Sequence, residues 1–506
     1  MALAWQYPLF CLLLVLLLLY YPTSAQISRN ISLGSFLRAE NTDSYWASPS
    51  GDFAFGFHQI GTGGYLLAIW FDKIQEKTIV WSANGNNMVP RGSKVELTKD
   101  GHFVLNDPAG KEMWKAELFG SRVAYAAMLD TGNFVLATED SRNSWETFDH
   151  PTDTMLPTMT MSQPIKLVAR YSEANYSNGR FQLTLQSDGN LVLETRAFPL
   201  DLSNAAYWSS NTIGSGFQLV FDPSGSVYLT AKDRSPLKMI TSNGGSTKDF
   251  YQRAILEHDG VFRHYIYPKN PTISSARRPS EGWSPMSTFI PSNICTAITQ
   301  LAGAGACGFN SYCKLGDDHR PSCLCPDGYT FIDPDDVMKG CKQNFLPQSC
   351  EESLSETDRF DFRYMPNTDW PLSDYEIFYG QTEDWCWEAC LGDCFCAVAI
   401  FRNGGCFKKR VPLSNGRMNS SITGMALIKI RKDNSTLSLN PSSAALKKKD
   451  LFVLILSGFQ KALLFQDPVG GLRPGPHCPA PHLRISVEIS HNGPAVEHVG
   501  STATVD

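Results

Sequence analysis

Cysteine is missing from most of this chain. None lies between Gln26 and Asn293, although the 506 residues hold 14, and twelve of these crowd between Cys295 and Cys406. A cysteine-free half followed by a stretch dense enough for a disulfide scaffold excludes one uniform domain. The length fits three or four domains. An excess of basic charge is also missing: 44 Lys and Arg against 50 Asp and Glu leave a net charge of −6. That excludes the basic field nucleic-acid binding requires, and no nucleic-acid partner is expected. Charged residues reach only 19%, too few for a mostly disordered chain, while 42% hydrophobic residues supply packed cores. No apolar run reaches the ~20 residues of a membrane-spanning helix. The phosphate loop, the H-E-x-x-H pair, the G-x-S-x-G elbow and the whole kinase motif set are absent from the sequence. GAGACG at 303–308 satisfies G-x-G-x-x-G, but it overlaps the cysteine cluster and follows no strand–helix unit. No catalytic residue, cofactor or metal is expected.

What is present begins at residue 9. LFCLLLVLLLLYY (9–21) is an apolar run of 13, followed by Pro22, Thr23, Ser24 and Ala25. Its length suits a signal-peptide core, with cleavage after Ala25, and predicts 1–25 as a signal peptide. Entry into the secretory pathway makes clustered cysteines disulfides rather than thiols. It also gives meaning to N-x-S/T acceptors at Asn30, Asn175, Asn419 and Asn434.

Residues 26–290 read as short strands separated by turns. LTKDGHFVL (97–105), MLDTGNFVL (128–136), LQSDGNLVL (185–193), LVFDPSGSVYL (219–229) and ILEHDGVFRHY (255–265) repeat one pattern. Each has an apolar entry, an aspartate–glycine turn and an alternating strand. Such repeats cannot bury their apolar faces singly, so the expected architecture is mainly β, in two units that break near His150–Pro157. One copy carries chemistry. Gln186, Asp188, Asn190 and Val192 recur at every second position, so they project from one face of a strand. Three hydrogen-bonding side chains beside one apolar contact suit the hydroxyls and C–H surface of a sugar. Asp100 and Val104 in one further copy, and Asp130 and Asn133 in another, are weaker candidates.

This spacing resembles the Gln-x-Asp-x-Asn-x-Val-x-Tyr mannose site of bulb-type lectins, with Glu194 where that family has tyrosine. SGDFAFGFH (50–58), IVWSANGNNMVPRGSKVELTKDGHFVL (79–105) and WETFDHPTDTMLP (145–157) resemble the extracellular part of plant S-receptor-like, G-type lectin receptor kinases. The resemblance implies tandem bulb-lectin β-prisms over 26–150 and 151–290, then small disulfide-rich EGF-like and PAN/apple-like modules. It implies mannose-type glycans or glycoproteins as partners and homo- or hetero-dimers with receptor kinases. A membrane location follows only by family analogy, and the place is extracellular or cell-surface.

Six cysteines, Cys295, Cys307, Cys313, Cys323, Cys325 and Cys341, allow fifteen pairings. Their spacing resembles an EGF-like module (291–342), which implies Cys295–Cys313, Cys307–Cys323 and Cys325–Cys341. The acidic calcium pattern is absent before Cys295. Cys386, Cys390 and Cys394 fall at i, i+4 and i+8, on one face if the segment is helical. WCWEACLGDCFCAVAIFRNGGCFKK (385–409) resembles a PAN domain (350–430). That resemblance implies Cys386–Cys406 and Cys390–Cys396, which leaves Cys350–Cys394. After Arg431 a linker and a divergent tail (431–506) stand where the family has a transmembrane helix and a kinase. Lys461 interrupts the apolar segment there. The expectation is a kinase-less or truncated form whose ectodomain recognises carbohydrate, acting in extracellular recognition and signalling, with defence among the family's roles. One alternative is a protein-interaction or dimerisation module with vestigial sugar sites. Another is a serine/threonine receptor kinase, in a longer product of the gene only.

Overall fold

The computed structural model describes residues 30–40, 44–118, 122–197, 202–241, 244–270, 282–298, 303–351 and 356–432. The signal segment, Asn434 and the tail lie outside the described residues. The protein is mainly β.

Two three-sheet units occupy the cysteine-free half, and every sheet in them has four antiparallel strands. In the first unit, Ile31–Ser32 joins Tyr125–Met128, Phe134–Ala137 and Asn143–Glu146. Phe36–Arg38 joins Lys94–Leu97, Phe103–Asn106 and Glu112–Lys115. Tyr45–Ala47, Phe53–Ile60, Gly64–Phe71 and Ile79–Ser82 make the third sheet. The first strand in sequence thus pairs with the last hairpin, and this pairing closes the prism. The second unit repeats the scheme, from Thr154–Met155 at its start to Ser284–Ile290 at its end.

Alternation decides which face turns inward. Along Lys94–Leu97 and Phe103–Asn106, Val95, Leu97, Phe103 and Leu105 are buried while their neighbours are not. On the axis of the first prism, Phe55, Phe103 and Phe134, one from each sheet, meet with centroids 4.1–5.9 Å apart. Around them Trp81, Trp114 and Trp145, each from the fourth strand of its sheet, contact one another edge-on at 5.8–6.2 Å. Offset and edge-on ring pairs each contribute roughly 0.5–1.5 kcal/mol beyond their buried area.

The aspartate turns share one geometry. Gln186 N–H donates to Asn190 O and Gly189 N–H donates to Gln186 O, and the same pair of bonds recurs at 98–102, 129–133, 222–226 and 257–261. Gly189 has φ +88°, and a Cβ there would lie 2.5 Å from Gly216 O, so only glycine fits. This is the three-residue hairpin with glycine in the left-handed position.

The core of the second prism runs on through Ile290 and Ile294 to Cys295, Cys307 and Cys313 of the first disulfide-rich module. That module holds Cys295–Cys313, Cys307–Cys323 and Cys325–Cys341. Polar contacts reinforce the junction: Asp336 accepts from Tyr171 Oη (2.5 Å) and Arg180 Nη2 (2.8 Å), and Arg320 pairs with Glu257 (3.1 Å). The second disulfide-rich module is a five-stranded sheet carrying the helix Glu383–Leu391. Cys386–Cys406 ties the helix to the sheet, Cys390–Cys396 closes its exit, and Cys350–Cys394 is the third bridge. The helix stops at Leu391, with Gly392 at its C-cap, so Cys394 lies beyond it rather than on its face. Lys429 Nζ donates to the carbonyls of Cys390 (3.0 Å) and Asp393 (2.9 Å), satisfying groups the helix end leaves open. Trp370, fully buried, donates from Nε1 to Ser311 O (2.8 Å) and joins the two modules.

Two outcomes follow from this packing. Phe134→Ala should destabilise the first prism by about 3–5 kcal/mol, read as a shift in chemical denaturation followed by tryptophan fluorescence. The second outcome concerns acid. Burial works against the Asp336 carboxylate, but the bonds from Tyr171 and Arg180 outweigh it and hold the carboxyl below its ordinary range. A depressed carboxyl adds stability above its unfolded value of about 3.9 and loses it as the pH falls through the lower folded value. Between pH 5 and pH 2, Asp336→Asn should therefore lose less thermal stability than the wild type. An equal loss would show that the junction does not depend on this charge.

Candidate functional site

The hairpin 186–194 is built by Asn178–Leu185 and Leu191–Ala197, with Leu202–Ser209 as the next strand. Cross-strand register sets Val192 opposite Thr184 and Glu194 opposite Gln182. Leu183, Leu185, Leu191 and Leu193 face the core. Gln182, Thr184, Val192 and Glu194 therefore share the other face, and Gln186 and Asn190 extend it toward the turn. Asp188 is exposed at the tip, and Gln186 is half-buried.

Each side chain has a definable occupation. Asp188 Oδ1 accepts from Asn190 N (2.9 Å) and stiffens the turn. Asn190, only 7% exposed, directs Oδ1 at Ser209 Oγ (3.0 Å), Ser210 Oγ (3.2 Å) and Thr212 N (3.2 Å). Val192 is 2% exposed. Glu194 is buried too, and its carboxylate accepts from Gln182 Nε2 (2.9 Å), Thr184 Oγ1 (3.3 Å) and Gln186 Nε2 (3.4 Å). The face is thus a sheltered polar strip, with Gln186 and Asp188 at its open end.

The other candidates stand apart. Asp100 is exposed at its turn and Val104 is half-buried, both in a sheet of the first prism. Asp130 Oδ1 accepts from Ser50 N (2.8 Å), linking two sheets. Asn133, 6% exposed, accepts on Oδ1 from Thr147 Oγ1 (3.0 Å) and Phe148 N (3.2 Å). Thr147 Oγ1 in turn accepts from Phe134 N (2.9 Å), as Ser210 Oγ accepts from Leu191 N (2.9 Å). Asn133 and Asn190 therefore make the same knot in the two prisms. Sequence reasoning missed the partners. Their signal is a hydroxyl two residues after a tryptophan, Thr147 after Trp145 and Ser210 after Trp208.

Of the glycosylation acceptors, Asn30 and Asn175 are exposed and Asn419 is half-buried. Asn175 Oδ1 accepts from Ser177 N (3.0 Å) and Ser177 Oγ (2.7 Å).

Residues 78–171 match the family model described as D-mannose binding lectin. Over 478 residues the chain is 43% identical to the G-type lectin S-receptor-like serine/threonine-protein kinase LECRK3 of Oryza sativa subsp. indica, covering 91% of this chain and 58% of that protein. It is 42% identical over 459 residues to LECRK2 of the same subspecies, covering 87% and 56%. The chain spans about half the length of the curated relatives it matches. Among solved structures, a monomeric monocot mannose-binding lectin from Gastrodia elata is 20% identical, covering 23% of this chain and 91% of its own at a TM-score of 0.18. Among the described residues no helix is long and apolar enough to cross a membrane.

The knot generates a stability outcome. Asn133→Ala and Asn190→Ala each remove the side-chain acceptor of a backbone N–H, that of Phe148 or of Thr212, and each should cost about 1–3 kcal/mol by equilibrium denaturation. A neutral Asn133→Ala would remove the structural role assigned to it.

Proposed function

This chain is, over the region that aligns, a member of the plant G-type lectin S-receptor-like serine/threonine-protein kinase family, and on that footing we propose that it recognises mannose-type glycans outside the cell through the hairpin 186–194. The observation that carries the reading is the placement of Gln186, Asp188 and Asn190 along one strip with polar atoms outside the turn and knot bonds. These are Gln186 Oε1, Asp188 Oδ2 and Asn190 Nδ2. Two acceptors and a donor match the paired hydroxyls of a hexose, while Val192, 2% exposed, is sealed beneath the strip. Each such bond is worth about 0.5–1.5 kcal/mol net in competition with water, so a single site is weak. Useful affinity then comes from multivalent glycans or from several sites engaged together.

Glu194 shapes this reading. A carboxylate stands where bulb-type lectins have tyrosine, and it occupies the Gln186 amide (3.4 Å). The strip is left with a negative neighbour and one fewer donor. This feature favours the second reading, in which the prisms serve protein contacts and the sugar strip is vestigial. Extracellular placement, a role in recognition or defence, and signalling through the kinase for which the relatives are named belong to the same proposal.

Mannose-array or calorimetric titration of the secreted chain tests it. Gln186→Ala and Asp188→Asn should weaken mannose binding at least fivefold at unchanged thermal stability, because neither residue carries the knot. Glu194→Tyr should strengthen binding but lower stability, since it takes the carboxylate acceptor from buried Gln182 Nε2 and leaves it only Ser203 Oγ and Thr184 Oγ1. Wild-type binding in both Gln186→Ala and Asp188→Asn would sink the sugar strip and leave the protein-contact reading.

A further inference from the structure

We propose that the groove between the two prisms binds a carboxylate-bearing oligosaccharide, a short uronate-containing chain, at a site separate from the hairpin 186–194. Two adjoining hollows form the groove, one of about 410 Å³ and one of about 280 Å³. Together they fall within the roughly 300–1,000 Å³ typical of ligand sites. Ile79, Arg170 and Tyr176 line both hollows, so the two adjoin.

The larger hollow has the chemistry of a sugar seat. Trp114 of the first prism and Tyr176 of the second line it, with Trp81, only 6% exposed, behind them. Asn86 and Asn87 add amides beside the rings. Aromatic faces pack against sugar C–H surfaces, and amides offer a donor and an acceptor to adjacent hydroxyls. The groove is a built feature of the fold. A Cβ on Gly85 would lie 2.3 Å from Tyr176 O, and Asn178 N donates to Asn86 Oδ1 (2.8 Å) across the two prisms.

The smaller hollow supplies the charge. Three lysine or arginine side chains line it, Lys77, Arg170 and Arg253. Lys77 pairs with Asp72 (2.7 Å) and Arg170 with Asp153 (2.7 Å). Arg253 makes no ion pair among the described residues, and its Nε is buried without a hydrogen-bond partner. Its guanidinium lies over the rings of Tyr265 (5.1 Å) and Trp283 (4.9 Å), which fix its orientation. The nearby Glu257 is taken by Arg320 (3.1 Å) and Arg263. An oriented guanidinium lacking its counter-charge is the group that a planar carboxylate completes bidentately. Glu76 and Glu173 stand exposed at the rim and oppose anions there, so one carboxylate of the chain is seated at Arg253 and the rest of its contact falls in the neighbouring hollow. That condition, with the ring-lined seat beside it, favours a uronate sugar over an acidic peptide.

The test is calorimetric titration of the secreted chain with trigalacturonic acid, its fully methyl-esterified form and triglutamate. The free acid should bind at least tenfold more tightly than the ester, and triglutamate should bind no better than the ester. Arg253→Gln should abolish the acid–ester difference, Arg253→Lys should restore part of it, and Gln186→Ala should leave it unchanged. Arg253 packs on two rings, so hydrogen exchange on the wild-type chain gives a second readout that no variant can confound. Trigalacturonate should protect 83–87 and 170–178. Equal binding of acid and ester, triglutamate binding as tight as the acid, or protection confined to 186–194 would each overturn the groove site. The last result would support the hairpin as the sugar site, so the two proposals fail separately.

Discussion

Three phenylalanines meeting on an axis hold the first prism together. Phe55, Phe103 and Phe134 come from three different sheets, and no sheet can bury its ring without the other two. The tryptophans of the three fourth strands close around them, so the order of strands follows from the need to bring six rings to one line. The second prism has the same strand order but a different solution. Its buried rings, Phe181, Phe221 and Phe262, share a core with Ile294, Cys295 and Cys307 of the next module. A prism without a full tryptophan ring is completed by its neighbour, and that shared core makes the prism and the first disulfide-rich module one packed body.

The same logic runs along the described chain. Asp52 of the first prism accepts from Tyr251 Oη of the second (3.0 Å), and Trp283 Nε1 donates to Thr78 Oγ1 (2.8 Å). At the far junction Asn310 and Leu413 exchange bonds of 2.7 Å, and Tyr312–Leu315 pairs in parallel with Arg417–Met418. Partly buried, hydrogen-bonded contacts at each junction resist hinge motion more than the wetter polar interfaces common between domains. The grooves between modules are therefore fixed surfaces, and a ligand seated in one meets walls that are already in place.

Much of this was legible in the sequence, for reasons that can be named. Aspartate–glycine turns are local: glycine at φ +88° and an aspartate bonding two residues on are chemistry within five residues, so the repeats read directly. The half-by-half distribution of cysteine likewise separates prisms from disulfide-rich modules without any contact map. Closure of the prism was not legible, because Ile31–Ser32 finds its partner more than ninety residues away at Tyr125–Met128. The helix carrying Cys386 and Cys390 ends at Leu391, because Lys429 and Gly392 terminate it there, and the periodicity of three cysteines says nothing of a distant lysine. Arg253 was illegible for the same reason. An arginine becomes unusual only when the acids around it are seen to be taken.

The hairpin 186–194 shows why a sugar motif has to be divided by occupation before it is read as a site. Asn190 repeats in the second prism what Asn133 does in the first, receiving a backbone N–H and a hydroxyl from the segment after the fourth strand. An asparagine with that duty is kept by folding alone, and its presence cannot distinguish a working lectin strip from a vestigial one. Val192, sealed at 2% exposure, is in the same position. Gln186 differs: its one bond within the strip is a long contact to Glu194 at 3.4 Å, which no turn or junction depends on. Asp188 differs in part, since one carboxylate oxygen serves the turn and the other is left over. Information about sugar binding is therefore concentrated in the two residues that the fold needs least, and in the buried glutamate that has replaced the aromatic hydroxyl beside them.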